Sequence, residues 1–272
     1  MSWLDIAYKD IEDSSRSVTV WLLFGLLTVL MVGYTVAHTY LGKPEFVPLI
    51  GGLAGLVATT LPVFGILLGY KSIVHERTSG SLFLTLGFPN SRKDLVVGTF
   101  VVRTIVLLGP TLGSLTIAGA LGAYLYGTEG ALLYPWFLFA TALYGTAFIG
   151  IAIGLSMSTT VDRWITLGSV GSYVLLVLFW NGFHSLTLLI LHRFDLTVLS
   201  DMPNWALLFQ LLKPGESYYR LLRLGFDTGQ AERYLGSSAP FYVDWWMAIL
   251  LLALWCFGPI GLGYLRFKTS DL

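Results

Sequence analysis

Residues 47–70 read VPLIGGLAGLVATTLPVFGILLGY, and residues 71–94, which follow at once, read KSIVHERTSGSLFLTLGFPNSRKD. The contrast decides the fold. The first stretch carries no charged side chain, and as a helix it spans roughly 36 Å, enough to cross a hydrocarbon core of about 30 Å. In lipid the backbone must satisfy its own hydrogen bonds, so a helix is the expected form. The second stretch is a polar interruption before the chain turns apolar again, which makes it a connection between two spanning helices.

The same reading extends in both directions. Apolar segments at 18–41, 96–126, 131–156, 164–190 and 243–265 join 47–70 to give six expected spans, so the fold class is all-α and polytopic. Composition agrees. Hydrophobic residues make up 55% of the 272, charged residues 12%, and mean hydropathy is +0.73, whereas soluble domains carry about 25% charge. The chain is expected to be a single transmembrane domain, 1–272, and no nucleic-acid partner is expected of it.

Basic residues set the expected orientation. Lys9, Arg16, Lys71, Arg77, Arg92, Lys93, Arg163, Arg266 and Lys268 fall on one side, and the short loops of the other carry only Lys43, so both termini are expected in the cytoplasm of a cell membrane. The long loop 191–242 balances five basic residues with five acids and is expected outside. Within it, residues 203–224 alternate apolar and polar positions around a Pro-Gly break, as two short amphipathic helices would. They are expected either to dip into the outer leaflet as a cap over a cavity or to dock an external partner.

Residues 1–16 lack the apolar core of a cleavable signal. At 100° per residue Trp3, Leu4, Ala7 and Ile11 share one face with Tyr8, and most charges take the other, the pattern of a helix lying in the membrane interface. Membrane lipid is thus an expected partner.

Several chemistries lack their residues. His75 and Glu76 begin a His-Glu-x-x-His zinc pattern, but Ser79 stands where the second His belongs. The Gly42-Lys43 pair is followed by Pro44 and has no phosphate-binding loop before it, so ATP hydrolysis by this chain is not expected. Cys256 is the only cysteine. Ionisable residues inside the spans are nearly absent. Arg103 lies about nine residues into the third span, where it lines an inner cavity or snorkels back to the interface. Thr59, Thr60 and Asn181 are the other candidates to face a pathway, each equally able to bond a neighbouring carbonyl.

Attention therefore returns to 71–94. Glu76 and Arg77 precede the small run Thr78 to Ser81; Leu82, Phe83, Leu84 and Leu86 form an apolar ridge; Gly87 and Pro89 stop it; Ser91, Arg92 and Lys93 follow. Such a ridge outside the lipid can fill a groove in a partner, each large side chain contributing roughly 1.5–3 kcal/mol when desolvated.

The segment HERTSGSLFLTLGFPNSRKDLVVGTF, residues 75–100, resembles the characteristic loop of the permeases of ABC-2 type exporters, with Glu76, Arg77, Gly80, Leu82 to Leu86, Pro89, Ser91 and Arg92 at the positions that carry the likeness. Thr99 departs from it, since members commonly have Lys after the glycine. In size and in lacking a large external domain the chain is most similar to the permeases related to the one used in nitrous oxide reductase maturation. The resemblance implies a non-enzymatic transport subunit, paired with a second copy or a paralogue and with cytoplasmic ATPase subunits that hold ATP and magnesium; the chain itself would hold no cofactor or metal. It implies a connecting helix at 1–16 and a coupling helix within 71–94. An ATPase-independent secondary transporter or channel-like protein is the alternative.

Overall fold

The computed structural model describes residues 17–41, 43–70, 72, 91–159, 161–199, 202–226 and 240–269. The described residues form six helices long and apolar enough to cross a membrane: α1 (Val18–Leu41), α2 (Phe46–Gly69), α3 (Arg92–Tyr126), α4 (Tyr134–Ser158), α5 (Asp162–Leu191) and, last in the chain, α8 (Trp245–Thr269). Two short helices, α6 (Asn204–Leu211) and α7 (Pro214–Leu222), lie between α5 and α8. The six spanning helices alternate in direction. Residues 17, 70, 91, 159, 161–162 and 269 share one end of the bundle, called here the near end; residues 43–45, 127–133, 192–199, 202–226 and 240–244 share the far end.

α4 is the hub. Phe137, Ala140, Tyr144, Phe148, Ile149, Ala152 and Ile153 are buried on several of its faces, against α2, α3, α7 and α8. Apolar side chains all round are what an interior helix of a membrane bundle requires. α1, α5 and α8 keep much of their apolar surface exposed, as lipid-facing helices do.

Backbones approach closely where glycine permits it. A Cβ on Gly150 would overlap the backbone of Cys256, and one on Gly154 would overlap Pro259, so α4 and α8 touch along a seam that admits no side chain. Gly65 and Gly69 bring α2 against Phe148 and Ala152 of α4 in the same way. Gly113 faces only the Phe24 ring.

α5 is not uniform. Two α-helical segments, Asp162–Tyr173 and Trp180–Leu191, flank a π-helical turn at Val174–Phe179.

Candidate functional site

Two places hold the polar chemistry of the described chain. At the near end, Ser91 caps α3: its hydroxyl accepts from the Asp94 amide at 3.2 Å, and the Asp94 carboxylate accepts from the Ser91 amide at 3.0 Å. This reciprocal box starts α3 sharply after the polar loop. Next to it, Arg92 donates from Nη1 to the carbonyls of Phe267 at 2.6 Å and Lys268 at 3.0 Å, with its guanidinium 5.3 Å from the Phe267 ring centre. Those carbonyls belong to the last turn of α8, where unpaired oxygens and the helix dipole favour a cation. The first residue of α3 is thereby fastened to the end of the last span. Of the loop positions that carry the expected coupling role, Ser91 and Arg92 are described; Glu76, Arg77, Gly80, Leu82, Phe83, Leu86 and Pro89 lie outside the described residues. So do Trp3, Leu4, Ala7 and Ile11 of the expected interfacial helix.

The second place is the tip formed by α6 and α7. Leu212, between them, accepts from Trp255 Nε1 at 2.7 Å; Tyr218 stacks on Tyr144 with ring centres 4.8 Å apart; and Lys213 Nζ donates to Asn181 Oδ1 at 3.2 Å. Trp255, Tyr144 and Asn181 each lie about ten residues in from the far end of their helices, roughly 15 Å of rise. The tip therefore descends deep into the far half of the bundle. α7 then climbs back out, to where Trp136 Nε1, beside the far end of α4, donates to the Leu221 carbonyl at 2.7 Å, and Arg220 pairs with Asp244 at 2.9 Å just before α8.

Ionisable groups nevertheless reach the interior of the far half, outside the spans. Lys213 and Glu216 form an ion pair at 3.5 Å with side chains only 12% and 10% exposed. The spans do lack charges. The pair enters on a loop that dips between them, which is why a count along the spans missed it; the i, i+3 spacing of Lys213 and Glu216 across Pro214-Gly215 was its only signal. Breaking such a buried pair by removing one partner costs more than the intact pair contributes. Around the pair, Tyr144 Oη donates to the Ala58 carbonyl at 2.9 Å, Tyr218 Oη meets Thr141 Oγ1 at 3.1 Å, and Ser217 Oγ donates to Leu211 at 2.6 Å. Outside the spans, the Thr197 amide and hydroxyl hold the Asp195 carboxyl below its ordinary range.

The four pathway candidates separate. Asn181 joins the tip. Thr59 donates to the carbonyls of Gly55 and Leu56 and Thr60 to Leu56, within their own helix. Arg103 is half-buried on α3, on the near side of Pro110.

A family model described as ABC-2 family transporter protein matches residues 4–272. Among curated proteins, the chain is 28% identical to a probable ABC transporter permease protein NosY of Pseudomonas aeruginosa, over 98% of both chains. It is 29% identical to the protein of the same name from Stutzerimonas stutzeri, over 97% of both.

Proposed function

The chain belongs to the ABC-2 family of transporter proteins, as a multi-pass membrane permease subunit, and from that premise we propose that it exports its cargo by converting motion of a separate cytoplasmic ATPase into motion of its own helices. The near end is the cytoplasmic end in this reading. ATP and magnesium reside in the partner, and a second copy or a paralogue completes the pathway. Residues 1–16 lie along the inner interface, and residues 71–94 are the contact with the ATPase, through Leu82, Phe83 and Leu86, with Glu76 and Arg77 anchoring the ridge by ion pairs.

The observation that carries the reading is the Arg92 clasp. A push on the loop reaches α3 through Ser91 and reaches α8 through Arg92. Because α4 and α8 meet backbone to backbone, α8 cannot slide without taking α4 with it. Both helices grip the tip, α4 through Tyr144 and Trp136, α8 through Trp255 and the Asp244 just before it. Displacement at the loop thus arrives at Lys213, Glu216 and Asn181 in the far half, which is the gate of this mechanism.

The test is co-purification and transport with Phe83→Asp and Leu86→Asp. A charge in the ridge is expected to release an ATPase that copurifies with the wild-type chain and to abolish cargo movement while the six spans stay folded. Normal transport by both variants would falsify the coupling role. A second reading, transport without an ATPase, draws on the Lys213–Glu216 pair, since ionisable groups at membrane depth often serve ion-driven transport. Proteoliposomes holding this chain alone separate the two: ion-gradient-driven movement of cargo would favour the second.

A further inference from the structure

We propose that the cavity between the near halves of α4, α5 and α8 binds an acyl chain of an anionic phospholipid, whose phosphate is held by Arg163 and Arg266. The proposal needs only a membrane around the chain and does not depend on the ATPase reading. The cavity has a volume of about 320 Å³ and is bounded by Gly154, Leu155, Gly168, Leu175, Trp255 and Leu262. It follows α5 from Gly168 to Leu176, roughly 12 Å of helix rise, so its long direction is that of a lipid tail. Small residues on two helices make the hollow.

Its chemistry narrows the occupant. Two hydroxyls reach the wall, and both are turned into their own helices: Ser158 Oγ donates to Gly154 at 2.7 Å and Ser172 Oγ to Ser169 at 2.8 Å. A water there would find too few partners, and a polar cargo none that are free. Hydrocarbon fits, and Leu175 and Leu262, both exposed at the rim, open the hollow sideways to the bilayer.

The mouth supplies the headgroup specificity. Arg266 is exposed and lies one turn beyond Leu262 on the face that carries Trp255 and Pro259. Arg163 is exposed at the start of α5, its guanidinium 5.5 Å from the ring centre of Trp164, which is itself one turn before Gly168. An indole with one guanidinium group against it, and a second guanidinium at the same end of the bundle, are the donors a phosphate diester takes. Among the described residues of α5, Asp162 is the acidic side chain at this end, beside Arg163 in the chain, and offsets one of the two positive charges.

The experiment is native mass spectrometry of the full-length protein in mild detergent, titrated with phosphatidylglycerol or with phosphatidylcholine of the same chain length. The wild type is expected to retain phosphatidylglycerol in preference to phosphatidylcholine. Arg163→Gln and Arg266→Gln, both at exposed positions, are expected to lower phosphatidylglycerol retention by about fivefold each, with phosphatidylcholine unchanged. Ser172→Phe fills the hollow and is expected to remove both adducts. Equal retention of the two lipids by the wild type would overturn the headgroup assignment. Undiminished phosphatidylglycerol on Ser172→Phe would place the lipid elsewhere. Disulfide-linked dimers of Leu262→Cys in a Cys256→Ala background would show the face covered by a second copy and would also overturn the proposal.

Discussion

Arg92 shows how a single side chain can mean more in the fold than in the string. In the sequence it is one of two basic residues at the edge of a span, the ordinary mark of a cytoplasmic boundary. In the structure its guanidinium closes the last turn of a helix 175 residues away. Charge-assisted bonds of this kind contribute about 1.5–3 kcal/mol each when shielded, and partial exposure reduces that here. Arg92→Ala is expected to destabilise the protein by about 1–2 kcal/mol, read as a lower midpoint in detergent thermal unfolding. Lys at this position restores part of the loss, because it reaches with a single ammonium and cannot spread over the Phe267 ring. An unchanged midpoint for Arg92→Ala would remove the clasp from the mechanism. The capping role of Ser91 went unread although a Ser followed three residues later by an acid is a local mark of a helix start, and the third span was accordingly expected to begin at 96 rather than at Arg92. The partner of Arg92 was not legible, because no local pattern names a carbonyl on another helix.

At the scale of elements, hydropathy located the six spans to within a few residues of their observed ends, because lipid leaves the backbone one choice over 20 residues. It could not place α6 and α7. Their apolar residues, Leu207, Leu208, Leu211 and Leu212, suit a helix on the membrane surface and a helix sunk within a bundle equally well, and only the packing against Trp255 and Tyr144 decides. Glycine spacing alone does not say which pairs meet a neighbouring helix. In the structure Gly150 and Gly154 set the α4–α8 seam, and Gly65 and Gly69 the approach of α2 to α4. Gly154→Leu is expected to force α4 from α8 and to cost most of the monodisperse yield in size-exclusion chromatography. Gly33→Ala on α1 serves as its control: nothing lies within 4 Å of the new methyl group, and the protein is expected to gain up to about 1 kcal/mol from the better helix former. Similar yields for the two variants would mean that the seam is loose.

For the molecule as a whole, topology follows from the alternation of the six spans, and the basic residues of the near end are expected to hold that end in the cytoplasm. Cys256, the only cysteine, is buried, so the wild type is nearly silent to polar thiol reagents and provides the background for single-cysteine labelling. An impermeant maleimide added to intact cells is expected to label Glu129→Cys, in the exposed turn between α3 and α4, and to spare Lys268→Cys until the cells are broken. The reverse pattern would invert the protein and move the coupling loop to the wrong side for an ATP-driven partner. The descent of α6 and α7 has one more effect. Among the described residues, eight helices share the far half of the bundle and six the near half. That asymmetry displaces more lipid from the far monolayer, and residues 1–16, lying along the inner interface as proposed, would offset it by displacing lipid from the near one.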